Sequence, residues 1–322
     1  MKKFAVVSLS LLVLLSMVLC PAFAADKVKL TMATGSVAAT YYPLGGAMAT
    51  VLNPILEKSE LTVTATGASK ANLQLMEDGD CQIGIVQNDV AFYCYKGTQL
   101  FEGETPYTGF SAICSLYDET VQIFSLNPEF KTFTDLKGKT VSVGAAGSGD
   151  NFNASQIFEE FGMAFSDVNA VYQSYADSAE SIKDGKIDAA FCVSGAPTVA
   201  LVDFAATAGK PINIISLEEN HIEGLMKAYP FYAKTVIPAG LYKGLDRDVT
   251  TVAIRAQLVV RNDVPEDVVY ELLDAMFKNT DALKAGHGKF AGFSIDTARY
   301  GVSVPYHPGA VKFFADKGIA VK

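Results

Sequence analysis

Apolar and polar positions alternate along the chain in a way that predicts strands and helices in turn. Short runs of β-branched and apolar residues predict strands at residues 28–34, 61–67, 81–86, 140–147, 168–173, 187–193 and 212–217. Helical spacing of apolar residues predicts helices at residues 43–55, 69–76, 89–95, 151–161 and 174–183, and from Pro197. This order is typical of a mostly parallel sheet covered by helices on both faces.

Two further stretches continue the alternation of strands and helices, and the second of them can be placed in two ways. Residues 110–117 and 121–126 predict two strands, with a break at Asp118 and Glu119. Residues 250–279 contain one more strand and a helix that Pro265 opens. The pattern leaves two placements for this last segment, which is either a third small domain or a return of the chain into the first domain.

The two halves of the chain repeat one order of elements: strand, glycine turn, helix, strand, helix, Asp-Gly and strand. Residues 76–86 (MEDGDCQIGIV) resemble residues 182–192 (IKDGKIDAAFC). The repeat predicts two similar α/β domains that face each other across a cleft. Both glycine turns would lie at the carboxyl ends of strands, where open α/β sheets bind ligands.

The first glycine turn, from Gly35 to Tyr42, carries no charge. It has neither the Gly-Lys-[Ser/Thr] ending of a phosphate loop nor the G-x-G-x-x-G of a dinucleotide site. Its small residues let backbone N–H groups approach a ligand, and the start of the following helix favours an anionic group. The alternative is a tight turn with packed tyrosines.

The second glycine turn covers residues 144–153 and contains Asp150. An acid here either caps the helix and complements its dipole or meets an ammonium group of the ligand. Residues 87–89 and 195–198 end two further strands, so they open onto the cleft or cap helices. Arg255 lies in an apolar strand, where it forms a salt bridge or clamps a ligand carboxylate.

The amino terminus has the features of an exported protein. Lys2 and Lys3 precede an apolar segment, and Ala22-Phe23-Ala24 fits a cleavage site, so we expect residues 1–24 to be removed as a signal peptide. A lipoprotein anchored at Cys20 is the alternative. The formal net charge is -9 and becomes more negative without the two lysines, which argues against nucleic acids and anionic membranes as partners.

Signals of catalysis are poor. No serine lies in G-x-S-x-G, no H-E-x-x-H is present, and the three histidines fall late in the chain. The four cysteines that follow Cys20 form no C-x-x-C pair, so we expect buried free thiols, with one disulfide as the alternative. We therefore predict no catalytic residue, no metal and no cofactor.

Six stretches, in order, resemble the TAXI family of extracytoplasmic solute receptors of TRAP transporters. They are TGSVAATYYPLGGAMA (34–49), LMEDGDCQIGIVQNDVAFYCYKG (75–97), DLKGKTVSVGAAGSGDNFNASQI (135–157), VSGAPT (193–198), PEDVVYELLDAMF (265–277) and VPYHPGAVKFFADKG (304–318). The resemblance covers essentially the whole mature chain. Two departures lie in the glycine turns: Val37-Ala38-Ala39 stands where the family usually has glycines, and Asp150 where it usually has threonine. The ligand typical of the family therefore does not carry over directly.

The resemblance implies a two-domain α/β fold of the type II periplasmic-binding-protein kind, with a ligand cleft between the domains. Domain 1 would combine residues 25–118 with residues 250–322, and domain 2 would span residues 119–249. By motif position, the ligand-binding residues would be Gly35, Ser36, Ala39, Thr40, Tyr41, Tyr42, Gln87, Asn88, Asp89, Tyr117, Gly147, Ser148, Gly149, Asp150, Asn153, Ala196, Pro197 and Thr198.

The implied function is that of a monomeric receptor in the periplasm or outside the membrane. It would bind a small organic anion or an amino acid such as glutamate and deliver it to a TRAP-type permease driven by an ion gradient. Two alternatives stay open, which are the binding protein of an ABC importer and an exported enzyme.

Overall fold

The computed structural model describes residues 26–321, so the predicted signal peptide and the Cys20 alternative lie outside the described residues. Strands and helices alternate along the chain as the sequence pattern predicts. The strands are β1 (Val28–Ala33), β2 (Ser59–Thr64), β3 (Ile83–Gln87), β4 (Phe110–Ser125), β5 (Thr140–Ser142), β6 (Asn169–Val171), β7 (Ala189–Ser194), β8 (Asn213–Ile214), β9 (Ala233–Ile237) and β10 (Val249–Arg261).

Ten α-helices are found within residues 26–321, and none of them is long and apolar enough to span a membrane. They are α1 (Tyr41–Leu52), α2 (Ser69–Asp78), α3 (Asn88–Lys96), α4 (Gly149–Glu160), α5 (Tyr175–Lys183), α6 (Val199–Thr207), α7 (Glu219–Ala228), α8 (Glu266–Lys278), α9 (Thr280–Gly286) and α10 (Pro308–Asp316).

The strands form one mixed sheet in the order β2-β1-β3-β10-β4-β7-β5-β6. The triplets β2-β1-β3 and β7-β5-β6 are each parallel, whereas β10 and β4 run antiparallel to each other and to their outer neighbours. The prediction of a mostly parallel sheet is therefore wrong. Two long strands that carry the chain between the halves have to run in opposite directions, and the local βα pattern does not reveal this.

Strand β4 is continuous, so the predicted break at Asp118 and Glu119 is also wrong. Arg255 lies opposite Asp118 on β10, and its Nη1 donates to Asp118 Oδ1 at 2.7 Å. Arg255 thus forms the salt bridge that was one of its two predicted roles. Glu119 is buried and accepts two hydrogen bonds from tyrosines. Because both acids find partners in the folded chain, neither requires a loop at this point.

Each half of the sheet has its own hydrophobic clusters. One cluster joins residues 30–117 to residues 256–314, with Leu30, Ile113 and Phe313 among its buried members. Two others draw on residues 121–254. The segment that follows β10 therefore packs against buried residues of the first half. The return of the chain into domain 1 and the boundaries of both domains stay predictions.

Two predicted elements are shorter in the structure than the sequence pattern indicates. Strand β5 ends at Ser142 because Gly144 and Gly147 adopt left-handed φ angles of 85° and 73°. Helix α6 begins at Val199, with Thr198 rather than Pro197 next to its start. The four cysteines of the described chain are all buried and unpaired, namely Cys81, Cys94, Cys114 and Cys192.

We predict that Phe191→Ala lowers the free energy of unfolding by about 3–5 kcal/mol, because it opens a cavity in a packed core. Phe191 is fully buried, and its ring lies 6.1 Å from that of Phe133 and 5.9 Å from that of Phe158. Tyr300, which is 57% exposed, supplies the control Tyr300→Ala. Urea unfolding measures both variants, and equal losses would contradict this account of the core.

Candidate ligand-binding cleft

A cavity of about 180 Å³ lies between the two glycine turns, and both halves of the sheet contribute to its wall. The predicted site residues on this wall are Gly35, Ser36, Ala39, Thr40, Tyr41, Gln87, Ser148, Gly149 and Asp150. The structure thus brings together the two turns that the sequence singled out.

The other predicted site residues do not line the cavity. They are Tyr42, Asn88, Asp89, Tyr117, Gly147, Asn153, Ala196, Pro197 and Thr198. Several lie directly behind the wall. Tyr117 donates to Glu119, which does line the cavity, and Asn153 donates to Asp89. Thr198 bonds to Gln122 below the end of β7.

Sequence reasoning missed about half of the wall. The missed residues are Thr66, Gly67, Ala68, Ser69, Glu119, Ala145, Gln173, Ser174, Tyr175, Val193 and Ser194. Most of them follow a strand or start a helix, as the predicted residues do. The short run from Thr66 to Ser69 after β2 and the Gln173–Ser174 pair after β6 could have been found by applying the strand-end rule to every strand.

Four helices begin at the cavity wall. Residues from the first turn or N-cap of α1, α2, α4 and α5 all line it. The first N–H groups of a helix lack partners within the helix, and the helix dipole places partial positive charge there. Two of these helices are capped by their own serines: Asn151 N donates to Ser148 Oγ at 3.0 Å, and Asp177 N donates to Ser174 Oγ at 3.3 Å. The wall therefore offers backbone donors to an anionic group.

The loop before α1 bridges the two halves. Thr40 Oγ1 lies 2.8 Å from Ser194 Oγ, which belongs to the end of β7 in the second half. Ala38 of the same loop packs against a hydrophobic cluster of the second half. This explains why Thr40, at the N-cap position of α1, forms no cap with its own side chain. The uncharged first turn holds the two sides of the cavity together.

Glu119 is the most buried carboxylate on the wall, at 2% exposure. Tyr41 Oη donates to its Oε2 at 2.8 Å, and Tyr117 Oη donates to its Oε1 at 3.1 Å. Burial raises the pKa of Glu119 to about 8, although the hydrogen bonds from both tyrosines lower it. Tyr41 thus anchors an acid instead of simply closing over a ligand.

Asp150 lies in the first turn of α4 with one carboxylate oxygen unused. Its Oδ1 accepts a hydrogen bond from Val193 N at 2.8 Å, while Oδ2 is buried and has no partner among the described residues. Burial raises its pKa to about 7. Ser148 caps this helix, so the predicted capping role of Asp150 is wrong, whereas its predicted place in the first turn, where an acid complements the helix dipole, is confirmed. Its carboxylate reaches across to the neighbouring strand β7.

A third buried acid, Asp89, stands behind the wall. Its Oδ1 accepts from Val90 N at 2.8 Å and its Oδ2 from Asn153 Nδ2 at 2.9 Å, so both oxygens are satisfied within the fold. Burial raises its pKa to about 6. Asp89 and Asn153 therefore form an internal pair that supports the turns.

The ionisable side chains of the wall are all acidic. Glu119 and Asp150 lie on it, whereas no lysine, arginine or histidine of the described chain does. Arg255, the one arginine considered for a ligand clamp, bonds to Ser115 and Asp118 away from this cavity. A ligand here meets helix N-termini and two carboxyl groups.

Glycine is required at two positions because a Cβ atom there would come too close to a neighbouring side chain. A Cβ at Gly144 would lie 2.7 Å from Asp150 Oδ2, and its φ of +85° already disfavours other residues. A Cβ at Gly149 would overlap the buried side-chain amide of Gln87. The glycines of the second turn thus make room for polar side chains on the cavity wall.

Comparison with known proteins gives a family match and a fold match. The profile of the NMT1-like family matches residues 32–318. A solved protein from Bordetella bronchiseptica RB50 is similar, with a TM-score of 0.54, 17% identity, and coverage of 90% of this chain and 89% of that one. Such identities show the fold alone, and they confirm the predicted α/β fold of periplasmic substrate-binding proteins.

Two further solved structures have the same fold. One is titled as an L-cystine ABC transporter of Listeria monocytogenes, with a TM-score of 0.52, 16% identity, and coverage of 82% of this chain and 96% of that one. The other comes from work on glutathione import via GshT and the cystine ABC importer TcyBC of Streptococcus mutans. Its TM-score is 0.52 at 12% identity, and it covers 83% of this chain and 96% of that one.

We predict that Gly149→Ala and Gly46→Ala have different effects on stability. Both positions are helical, where Gly→Ala ordinarily adds roughly 0.5–1 kcal/mol. A Cβ at Gly46 meets nothing within 4 Å, so that variant should show the full gain. Gly149→Ala should not be stabilised in this way, because the new methyl group displaces the side chain of Gln87. Urea unfolding of the ligand-free protein checks this, and equal stabilisation would refute the close approach.

The raised pKa of Glu119 predicts a stability that falls as pH rises. Between the ordinary glutamate pKa and about pH 8, Glu119 keeps a proton in the folded chain that it releases in the unfolded chain. Its contribution to the free energy of unfolding is therefore full below the ordinary pKa and is lost as pH rises through about 8. Glu119→Gln should flatten this decline between about pH 5 and about pH 9, whereas the exposed control Glu60→Gln should not. Denaturant unfolding across that range measures the difference, and parallel profiles for wild type and Glu119→Gln would show that the prediction is wrong.

Proposed function

We propose that this chain, which belongs to the NMT1-like family, is an extracytoplasmic solute-binding receptor that delivers one small solute to a membrane permease. One observation carries the proposal: residues from both halves of the fold line one small cavity at the carboxyl ends of their strands. Ligands of open α/β sheets bind at that edge. Export and a periplasmic location follow from the predicted signal peptide, and we expect a monomer.

The cavity suits a solute of a few to about ten non-hydrogen atoms. Its volume of about 180 Å³ is below the range of roughly 300–1,000 Å³ that is typical of sites for drug-sized ligands. Four helix N-termini at the wall favour a carboxylate on that solute. A small carboxylate, including an amino acid, is therefore the proposed ligand class.

The wall supports binding rather than catalysis. Its candidate nucleophiles are serine, threonine and tyrosine hydroxyls, and none of them is paired with a histidine or lysine in the described chain. Ser148 and Ser174 are occupied as helix caps. Nucleophilic catalysis requires an adjacent base, so an exported enzyme is the less supported alternative.

Closure about the crossing strands would control entry. Strands β4 and β10 connect the two halves, and a hydrogen bond joins Thr40 of the first half to Ser194, the neighbour of Thr120 on β4. Hinge closure around a ligand is a common motion of two-domain binding proteins. The Thr40–Ser194 contact would form on closure and break on opening.

The permease is proposed to be of the TRAP type, on the resemblance of the glycine turns and the carboxy-terminal motifs to TAXI receptors. The solved structures described above include proteins titled as ABC importers, but at their identities they bear on the fold alone. Transport in reconstituted vesicles separates the two types, since a TRAP system requires an ion gradient and an ABC system requires ATP.

The direct test is to purify the mature protein, identify any small molecule that accompanies it by mass spectrometry, strip it and titrate it back. We expect a solute with a carboxylate group that binds one to one and is not converted to product. Turnover of that solute would favour the enzyme alternative, and failure of every small solute to bind would overturn the receptor proposal.

We predict that Thr40→Val weakens binding of the identified solute by about 2-fold to 10-fold, because a hydrogen bond that favours the closed form is lost. Thr50→Val is the matched control, since Thr50 is exposed on α1 and bonds only to Gly46 O. Isothermal titration calorimetry measures both variants. Equal affinities in Thr40→Val and Thr50→Val would contradict a role for the cross-cleft contact.

A further inference from the structure

A second cavity, of about 490 Å³, lies beside the crossing strands β4 and β10 and shares no lining residue with the first cavity. We call it the strand cavity. Lys289 and Gly292 line it from the segment that packs against the first half, whereas Ala196 and residues 235–238 line it from the second half. Its volume lies in the range of roughly 300–1,000 Å³ that is typical of small-molecule sites, so it has room for a ligand of its own.

Lys289 reaches from one half of the fold to the other at the wall of the strand cavity. Its neighbours Phe290 and Phe293 belong to the hydrophobic cluster of the first half, and its ammonium group donates to Ala196 O, which follows β7 in the second half. A Cβ at Gly195 would lie 2.5 Å from Lys289 Cε, so glycine leaves the path of the lysine stem open. Because Lys289 and Ala196 both line the strand cavity, the ammonium group lies at its wall.

The charge of Lys289 is not compensated within the described chain. Lys289 is half-buried, and its three N–H groups have one acceptor there, Ala196 O. Asp118, whose charge acts on Lys289, is already paired with Arg255 at 2.7 Å. Burial lowers the pKa of Lys289 to about 8. Buried cations ordinarily have a counter-ion, and an anion in the strand cavity would supply it.

The strand cavity also has an apolar part. Val236 on β9 lines it and is 48% exposed, and Pro238 and Leu241 line it close by in sequence. Arg255 adds no further unpaired charge, because all three of its guanidinium nitrogens donate within the chain. One uncompensated positive charge beside exposed apolar side chains matches a ligand with one negative charge and an aliphatic body.

We infer that the strand cavity is a second binding site, which takes a singly charged aliphatic anion with its charged group on Lys289 Nζ and its apolar part against Val236 and Leu241. Burial of Val236 against an aliphatic chain would remove apolar surface from water, which favours binding. The site is separate from the cavity between the glycine turns, and the inference does not depend on the proposed receptor function.

Hexanoate is the probe, with hexanol and hexylamine as its neutral and cationic analogues of equal chain length. Isothermal titration calorimetry of the wild-type protein at about pH 7 should show one hexanoate site that binds at least roughly 10-fold more tightly than either analogue, because only the anion accepts from the charged lysine. Hexanoate that binds no more tightly than hexanol, or does not bind, would overturn the inference and leave the receptor proposal standing.

A pair of lysine variants tests the assignment to Lys289. Lys289→Met removes the charge and keeps an unbranched side chain, so hexanoate should bind at least roughly 10-fold more weakly. Lys210→Met, at an exposed lysine of the second half, should leave the affinity unchanged. Equal hexanoate affinity in Lys289→Met and wild type would mean that hexanoate binds elsewhere, including in the first cavity, and would overturn the inference. The wild-type comparison of the three probes is independent of whether the variant folds.

The pH profile of hexanoate binding is a readout that a merely structural role of Lys289 would not change. The charged and titratable groups around Lys289 are Tyr117, Asp118, Arg255 and His287. Burial raises the pKa of Tyr117 and lowers that of His287, so both stay neutral between about pH 7 and about pH 9. Wild-type affinity should fall as pH rises through about 8, where Lys289 of the free protein loses its proton. Lys289→Met should lack this fall, and a flat wild-type profile would contradict the inference.

Discussion

The pairing of β4 with β10 is the constraint on which the rest of the structure depends. These two strands are the longest of the sheet, and each runs from one half into the other. Their antiparallel pairing fixes how the two parallel triplets face each other, so that the glycine turns after β1 and β5 meet at one cavity. The same pair carries Glu119 into the cavity wall and Arg255 to the opposite side.

The cavity wall contains groups of opposite electrostatic character. Helix N-termini provide partial positive charge without any cationic side chain, whereas Asp150 and Glu119 provide carboxyl groups whose pKa values burial raises to about 7 and about 8. A solute would favour closure of the two halves only as far as it binds the closed form more tightly than the open one.

Much of the fold could be predicted because βα order and glycine turns are local signals. The pattern predicts seven of the ten α-helices of the described chain and most of its strands within a few residues, and the small residues alone indicate the two turns that form the cavity. It does not predict α7, α9, α10 or strand β9. The continuity of β4 could not be predicted. Asp118 and Glu119 look like a turn in isolation, and their distant partners Arg255 and Tyr41 make a strand acceptable there. At Asp150 the sequence leaves a capping role open, and only the structure shows that Ser148 caps the helix instead.

The central claim is that a small solute binds between the two glycine turns, and a crystal structure of the protein with its co-purified solute tests it most directly. The account predicts electron density for one small molecule in the cavity, with a carboxylate at the start of α4 or of a neighbouring helix. Density for the solute at any other place on the molecule would contradict the claim.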